Sequence, residues 1–356
     1  MRGGEKVLLS LARIFPDAPI FTLLHVKGSV APELEARDIR TSFVQRLPAV
    51  ATRYRHYLPL FPSAIERFDF TGFDLVLSSS HCVAKGARRA PGAVHLCYCH
   101  TPMRYVWDRY DDYFGPGRAS PLVRLVVRPI AARLRAWDVR SAARVHRFAA
   151  NSAHVADRIR RYYGRDSVVI PPPVDTAFFT PGEDRPGAYD LVVSALAPYK
   201  RLELVLDAYR GTGWPVRIVG TGPEEPRLRA LAPPEAAFLG RVDEEELRAL
   251  YRGCRAVLMP GVEDAGIVPL EALACARPAV VFGEGGGAET IEDGRTGLVF
   301  REPTAAALRA AVSTLETTRF DRLALRARAE ALRREVFEGR VRAFVADALG
   351  RGEGGC

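Results

Sequence analysis

The sequence has 356 residues, of which 48% are hydrophobic and 26% are charged. This composition supports two domains with sizeable cores and excludes a mainly disordered chain. The net charge of +9 at pH 7 comes almost entirely from arginine, which is compatible with an anionic substrate, an anionic membrane surface or a nucleic acid. No nucleic-acid-binding motif accompanies that charge, so we expect no nucleic-acid partner.

Two further absences narrow the class of protein. No stretch approaches the roughly 20 uninterrupted apolar residues of a membrane-spanning helix, and no signal-like segment opens the chain, so the sequence predicts a cytoplasmic protein. No Cys-x-x-Cys pair is present, which favours buried, reduced thiols over a metal site or a disulfide framework. The cysteines are Cys82, Cys97, Cys99, Cys254, Cys275 and Cys356.

The N-terminal half opens on Gly3 and Gly4, followed directly by a helical pattern. Glycines before a helix allow a ligand to approach the backbone closely, although an unstructured start would give the same letters. The aromatic, basic and proline-broken segment 43–68 predicts a structured loop over the core or, alternatively, a lid. Short apolar runs predict strands over residues 20–24, 74–79, 93–99 and 147–151.

A polar cluster follows the strand predicted at 93–99. His100 comes directly after it, and Arg104 and Asp108 lie close behind. The carboxyl end of a strand is where ligands bind in open α/β folds. An isolated histidine is more often structural, but this position favours a functional site.

Residues 120–148 predict a helix rich in arginine, with Leu, Val, Ile and Trp in the intervening positions. A solvated helix face is the usual explanation of such a pattern. A surface for anionic lipid headgroups, or for a lipid-diphosphate acceptor, explains it equally well, and both stay open. The arginines are Arg124, Arg128, Arg133, Arg135, Arg140, Arg144 and Arg147.

The proline-rich segment 171–189 predicts the linker between two α/β halves. In the second half, Lys200 follows a strand predicted at 190–196 and could neutralise a diphosphate at that strand-to-helix loop. Gly220 and Gly222 follow the next strand. A lone G-x-G is weak evidence for a nucleotide site and is equally typical of a tight turn.

The stretch at 261–278 places Glu263 and Glu271 eight positions apart. A buried strand at 254–260 precedes the pair, and a helix is predicted over 270–276 with Pro269 in its first turn. Glu263 would then lie on the loop and Glu271 just inside the helix. A helix start offers free N–H groups, and a carboxylate can accept from two sugar hydroxyls. Two surface glutamates would give the same spacing.

The pattern E-D-x-G-I-V-P-x-E-A-x-A, followed by Arg-Pro, resembles the E-x7-E motif of family 4 retaining glycosyltransferases. The string YCHTPMRYVWD resembles a subgroup that includes bacterial O-antigen mannosyltransferases. The resemblance covers nearly the whole chain and implies an α/β, GT-B fold with two doubly wound Rossmann-like domains facing a cleft. It implies domains at 1–175 and 176–336, with a helix at about 337–349 packing back on the first. Family members carry a strand before the glycine loop, so the N-terminal sheet is expected to lack its first strand unless the start codon is misassigned.

The resemblance also implies roles for single residues. Glu263 would contact the donor sugar and Glu271 the nucleotide ribose, Lys200 would hold the diphosphate, and His100 would line the catalytic cleft. The further donor-side residues are Gly266, Ile267, Val268, Gly220, Gly222, Arg241 and Val242, and the acceptor-side residues are Gly3, Gly4, Arg104 and Asp108. The chain departs from the family at Ala265, where an aromatic is usual, and at Ala195, where an arginine also holds the diphosphate.

These features together predict a retaining hexosyltransferase that uses an NDP-sugar, with mannose from GDP-mannose favoured by the subgroup. The acceptor would be a glycan or a polyprenyl-diphosphate-linked saccharide in cell-surface polysaccharide synthesis, reached from the inner face of the cytoplasmic membrane. No D-x-D metal motif is evident, so we expect no cofactor and metal-independent transfer. The alternatives are a degenerate sugar-nucleotide-binding protein, a GT-B epimerase and a basic membrane-surface adaptor.

Overall fold

The computed structural model describes residues 3–117, 120–182 and 187–350. The chain divides into two compact units, Met1–Pro171 with Phe337–Cys356, and Pro172–Val336. The division therefore falls a few residues before the predicted boundary at 175. The residues after Gly350, including Cys356, lie outside the described residues.

The first unit contains a parallel sheet of four strands and a separate parallel pair. Its strands are β1 (Ile20–Thr22), β2 (Ile39–Thr41), β3 (Leu75–Ser80), β4 (Val94–Cys99), β5 (Arg147–Ala150) and β6 (Ser167–Val169). Its helices are α1 (Gly3–Ile14), α2 (Pro32–Glu35), α3 (Val50–Arg53), α4 (Phe61–Glu66), α5 (Tyr110–Phe114), α6 (Pro121–Ala142) and α7 (Ala153–Tyr163). The sheet order is β3-β4-β5-β6, and β1 pairs with β2. Within the described residues no strand precedes α1.

Strand β4 is buried on both faces, which explains its continuous apolar sequence. Leu96 and Tyr98 point to a cluster that α1 shares with the helix at Arg334–Ala348, which belongs to this unit from Phe337 onward. Cys97 and Cys99 point to the opposite face and pack against α7. This alternation is the period of two of a strand, and it confirms that the two cysteines share one face.

Two predictions for this half need correction, and one pair of alternatives is resolved. The helix predicted over 120–148 ends at Ala142, because Arg147 already begins β5, which pairs with β4. The segment 43–68 forms short helices whose apolar side chains enter the core, as a structured loop would and a free lid would not. Gly3 and Gly4 form the first turn of α1 and not a loop before it.

The second unit contains a parallel sheet of six strands. Its strands are β7 (Tyr189–Val193), β8 (Val216–Val219), β9 (Ala236–Gly240), β10 (Cys254–Met259), β11 (Ala279–Phe282) and β12 (Gly297–Phe300). Its helices are α8 (Leu202–Tyr209), α9 (Glu225–Leu231), α10 (Glu244–Gly253), α11 (Ile267–Ala274), α12 (Ala305–Thr314) and α13 (Arg322–Glu330), followed by α14 (Arg334–Ala348). The sheet order is β12-β11-β10-β7-β8-β9.

Both faces of this sheet are covered. Along β10, Val257 and Met259 point to a core that contains α11, whereas Ala256 and Leu258 point to a core that contains α8 and α12. Sheets of this kind need long apolar strands, because neither face meets water. The order of the strands reverses between β7 and β10, and the helices that follow these two adjacent strands, α8 and α11, pack on opposite faces of the sheet.

The segment 171–189 is not a free linker over its described part. Val174 and Phe179 are 1% exposed and belong to the core of the second unit. The Arg326 guanidinium on α13 donates to the backbone oxygens of Thr176 and Phe179 at 2.6 Å each. The prolines therefore shape a segment that packs on the protein. Among the described helices, none combines the length and apolarity that crossing a bilayer requires.

Candidate functional site

The loops after β7 and β10 bring two charged residues together. Lys200 ends a short 3-10 turn after β7, and Glu263 lies on the loop after β10. The Lys200 ammonium donates to the Glu263 carboxylate, and the side chains are only 15% and 16% exposed. Because these strands are parallel and adjacent, their carboxyl ends meet where the strand order reverses. Open α/β sheets bind ligands at this switch point.

Glycines hold the backbone around Glu263. The Gly286 N–H donates to the Glu263 carbonyl at 2.7 Å. A Cβ on Gly285, whose φ is +88°, would lie 2.5 Å from that same carbonyl oxygen, and one on Gly287 would lie 1.8 Å from Met259 Cε. The glycine-rich run after β11 is therefore required for packing against the loop after β10, which fixes the position of Glu263.

Gly266 is the residue before α11, which begins at Ile267 and not at Leu270 as predicted. A Cβ on Gly266 would lie 2.6 Å from the Thr290 side chain, so only glycine fits there. Ile267 and Val268 consequently lie in the first helical turn, whose N–H groups have no partner within the helix. Pro269 also lies in that turn, where its missing N–H is without cost.

Glu271 lies in the second turn of α11 and is 5% exposed, so it is not a dipole-favoured surface residue of the first turn. The Tyr251 hydroxyl on α10 donates to its Oε2 at 2.8 Å. Burial and the neighbouring carboxylate raise the pKa of Tyr251 well above its usual value, so the hydroxyl stays a donor. Tyr251 was missed by sequence reasoning, because nothing local signals a partner twenty residues away.

Gly220 and Gly222 have a packing role. A Cβ on Gly220, whose φ is +129°, would lie 1.9 Å from the Ser194 carbonyl, and one on Gly222 would lie 2.3 Å from the Leu196 carbonyl. The Leu196 N–H also donates to Thr221 O at 3.0 Å. The loops after β7 and β8 thus contact each other backbone to backbone. The tight-turn explanation of this G-x-G accounts for both glycines without a nucleotide.

Arg241 and Val242 follow β9 at the edge of the sheet. Arg241 is exposed, whereas Val242 packs partly against the core. Their strand lies two positions from β7, so they lie farther from the switch point than Lys200 does. They share its side of the sheet, since all six strands are parallel.

Ala195, which occupies the position of the family arginine, is exposed. Arg201 is the next basic residue after Lys200, and it has a left-handed backbone with φ of +52°. Its guanidinium lies 5.3 Å from the centre of the Phe282 ring, and its Nη1 is buried with no hydrogen-bond partner in the described part of the chain. The sequence did not indicate this buried nitrogen without a hydrogen-bond partner.

In the first unit, His100 follows β4 as predicted. Its Nε2 lies 2.7 Å from Ser79 Oγ, and its carbonyl accepts from Asn151 Nδ2 at 3.0 Å. Gly4 adjoins the same ring, because a Cβ there would lie 3.8 Å from His100 Nε2. Enclosure by protein atoms, with a smaller contribution from His81, lowers the pKa of His100 to about 3, so the imidazole is neutral at pH 7. The pattern did not indicate Ser79 as a partner.

Asp108 and Arg104 lie in the turns after His100. The Asp108 carboxylate pairs with Arg158 and accepts from the Tyr162 hydroxyl, both on α7. Arg158 also donates to Thr101 at 2.7 Å, so this network ties the loop to α7. Asp108 therefore has a structural role that its sequence position did not reveal. The Arg104 carbonyl accepts from the N–H groups of Trp107 and Arg109, at 3.2 and 3.0 Å.

In residues 3–117, 120–182 and 187–350, no three His, Cys, Asp or Glu side chains gather closely enough to hold a metal ion. The cysteines at 82, 97, 99, 254 and 275 are buried and free.

Two Rossmann-like units, one of them with a lysine, a carboxylate and a helix start at its switch point, define a doubly wound α/β protein whose switch point is where folds of this class bind ligands. The family model "Glycosyltransferase Family 4" matches residues 1–178, and "Glycosyl transferases group 1" matches residues 175–332. The chain belongs to glycosyltransferase family 4, as the sequence resemblance predicted.

Similar proteins agree with this assignment. A D-rhamnosyltransferase, WbpZ of Pseudomonas aeruginosa, is 32% identical over 53% of this chain and 52% of its own length. A GDP-mannose-dependent alpha-(1-6)-phosphatidylinositol monomannoside mannosyltransferase of Mycolicibacterium smegmatis is 30% identical over 56% of this chain and 65% of its own. The chain thus spans about half to two thirds of these relatives. Sucrose-phosphate synthase of Thermosynechococcus elongatus shares the fold, with a TM-score of 0.74 at 16% identity over 97% of this chain and 92% of that one.

Proposed function

We propose that this protein is a retaining glycosyltransferase that transfers a hexose from a nucleotide sugar to a saccharide or a lipid-linked saccharide. The observation that carries the proposal is the Lys200–Glu263 pair at the switch point of the second unit. A cation that neutralises phosphate and a carboxylate that accepts from sugar hydroxyls are the two groups that a nucleotide sugar requires.

In the proposed mechanism the second unit binds the donor. Lys200 and the first-turn N–H groups of Ile267 and Val268 stabilise the leaving diphosphate, where negative charge develops in the transition state. Glu263 orients the sugar, and Glu271 accepts from the ribose hydroxyls while Tyr251 holds its carboxylate. Because Lys200 and Glu263 contact each other in this structure, donor binding has to replace that contact with one to phosphate and one to sugar.

His100 is proposed to contact the transferred sugar as a neutral imidazole. Its depressed pKa favours a role as a hydrogen-bonding group and disfavours a role as a cation. Ser79 would act as a positioning residue, since its hydroxyl lies within hydrogen-bond distance of Nε2 and fixes the ring. Gly3, Gly4, Arg104 and Asp108 stay predictions for the acceptor side.

Mannose from GDP-mannose is the donor that we propose, and a lipid-linked saccharide is the preferred acceptor. The printed name of the mycobacterial relative specifies a GDP-mannose-dependent enzyme, and that of the pseudomonad relative specifies transfer of rhamnose. Both names concern those proteins. They support a deoxyhexose or hexose donor and leave GDP-mannose as the first to be tried.

We also propose that transfer needs no divalent metal. The proposal rests on the absence of a D-x-D motif from the sequence and on the lysine and N–H groups that would compensate the diphosphate in place of a metal ion. Transfer that continues unchanged in EDTA is the expected result, and transfer restored only by Mg²⁺ or Mn²⁺ would contradict it.

The decisive experiment has two stages. A thermal-shift screen with GDP-mannose, UDP-glucose, GDP and UDP first measures donor binding. Incubation with a labelled donor and a lipid-linked acceptor then measures transfer. Retention predicts that the new linkage keeps the donor's anomeric configuration. Binding without transfer to any acceptor would favour the degenerate sugar-nucleotide-binding protein, and a labelled donor altered within its own sugar would favour an epimerase. No binding at all would refute the proposal.

A further inference from the structure

The first turns of α6 present apolar side chains to solvent. Leu122 and Leu125 are each 72% exposed, Val126 is 54% exposed and Val123 is 45% exposed. We name these four residues the α6 tip. Isolated exposed aliphatic residues are ordinary, but four within five positions form a contiguous apolar surface.

Pro129 separates the α6 tip from the part of α6 that packs on the protein. Beyond it, Leu134 and Trp137 are buried in the core of the first unit. Proline lacks the N–H that the Leu125 carbonyl would otherwise accept from, so the helix ladder is interrupted between the two parts. The core therefore holds only the second part, and the four side chains of the α6 tip are left 45% to 72% exposed.

The exposed charges on α6 itself have one sign. Arg124 and Arg128 lie within the same turns, and both are exposed. The only acidic residue of α6 is Asp138, which is buried and paired with Lys85. The nearest acidic residues of α5 are Asp111, which is exposed, and Asp112, which pairs with Arg109. The exposed surface of α6 itself is thus apolar and basic.

The helical spacing arranges these residues in order along one face. Leu122, Leu125, Val126 and Pro129 stand at i, i+3, i+4 and i+7, so they share a face. Arg133 and Arg140 continue that face three and five turns from Leu122, and both are exposed. A helix with this order of residues can place its apolar end among the acyl chains of a bilayer and its arginines at the level of the headgroups.

Aromatic residues of α5 lie close to α6. The Arg135 guanidinium of α6 lies 5.2 Å from the centre of the Tyr110 ring, which ties α5 to α6. Tyr113, on the same short helix, is 41% exposed. Tyrosine is a residue that favours the boundary between headgroups and acyl chains, because one end of its ring is apolar and the other polar.

We propose that the α6 tip and its arginines dock the first unit on an anionic lipid bilayer. A nucleic acid would use the arginines but gain nothing from exposed leucines, and an uncharged protein groove would use the leucines but leave the arginines unmatched. An anionic bilayer surface matches both. The proposal goes beyond donor binding and transfer, and it stands or falls independently of them because its test needs no nucleotide.

The test is flotation of the full chain with vesicles. The protein is expected to float with vesicles of phosphatidylglycerol and phosphatidylcholine in equal parts, and not with phosphatidylcholine alone. Leu122→Glu with Leu125→Glu is expected to weaken vesicle binding by at least about tenfold. Arg124→Gln with Arg128→Gln is expected to weaken vesicle binding about tenfold to thirtyfold and to make it less sensitive to salt. Each substitution removes one positive charge that is attracted to the anionic headgroups.

Matched controls lie on the second unit. Leu323 is 79% exposed on α13, so Leu323→Glu introduces one such leucine-to-glutamate change at a similarly exposed position. Arg301→Gln with Arg319→Gln removes the same charge from exposed positions. Both controls are expected to float like the unchanged protein, and circular dichroism checks that every variant folds.

Three results would overturn the proposal. In the first, the unchanged protein does not float with the anionic vesicles. In the second, the tip variants float as well as the controls do. In the third, the unchanged protein self-associates in sedimentation without binding vesicles, and Leu122→Glu with Leu125→Glu restores the monomer. That outcome would make the α6 tip an interface between copies of the chain.

Discussion

The Lys200–Glu263 pair leads to a prediction in which two variants change nucleotide affinity in opposite directions. Glu263→Gln removes the carboxylate that holds Lys200, so the ammonium is free to meet a diphosphate. Lys200→Met removes the ammonium and leaves the carboxylate beside the place where the diphosphate would lie. If the pair were only structural, both changes would act on stability alone.

The exposure of the two side chains sets the magnitude. At 15% and 16% exposed, the pair lies between a surface pair, worth up to about 1 kcal/mol, and a buried one, whose disruption costs about 3–5 kcal/mol. We take about 1–2 kcal/mol as the cost of opening it. Glu263→Gln should then strengthen nucleoside-diphosphate binding about 5- to 30-fold. Lys200→Met should weaken it by about 1.5–3 kcal/mol, the contribution of a charge-assisted hydrogen bond.

Calorimetric titration with GDP and UDP measures both effects. The matching sugar nucleotide should gain less from Glu263→Gln than the free diphosphate does, because Glu263 is proposed to hold the sugar. Glu292→Gln, which breaks the exposed pair with Arg295 in the same unit, removes the same charge and is expected to change nothing. The reasoning is refuted if Glu263→Gln weakens diphosphate binding as Lys200→Met does, or if neither variant differs from the control.

Three further predictions follow from single contacts and from pH. Ala195→Arg should tighten diphosphate binding about tenfold to a hundredfold by calorimetry, since it adds a charge-assisted hydrogen bond, and an unchanged affinity would mean that this exposed position does not reach the phosphates. Tyr251→Phe removes the hydrogen bond from Tyr251 to the Glu271 carboxylate and should reduce the preference for a ribonucleotide over its 2′-deoxy analogue, whereas an unaltered preference would separate Glu271 from the ribose. Burial lowers the pKa of His95 to about 3, like that of His100, so the unfolded chain binds more protons than the folded one between about pH 6.5 and 3. The free energy of unfolding should therefore decrease as the pH is lowered through that window, by about 2 kcal/mol per histidine at pH 5. Urea unfolding followed by tryptophan fluorescence measures this free energy, and equal values at pH 7 and pH 5 would contradict the prediction.

Sequence was most informative where the signal is local. The helix Leu202–Tyr209 and the strand Ala279–Phe282 can be recognised locally, because each is an apolar segment closed by residues that end such elements. Ser152 is a residue type that favours helix N-caps, and its hydroxyl caps α7 by accepting from the N–H three residues on. The sequence predicts the start of α11 three residues too late. Gly266 provides no side-chain cap that would mark the true start, and Pro269 is the residue that suggests a first turn.

The motifs and their order along the chain were thus available from the sequence, and with them the family. The burial of Glu271, the partner of Lys200 and the packing role of Gly220 were not, because each depends on a residue that folding brings close from another strand or helix. Local periodicity records which face of an element is apolar, but it carries no record of which strands become neighbours. The reversal of strand order between β7 and β10 made the lysine and the carboxylate into one site, and only the tertiary structure decided it.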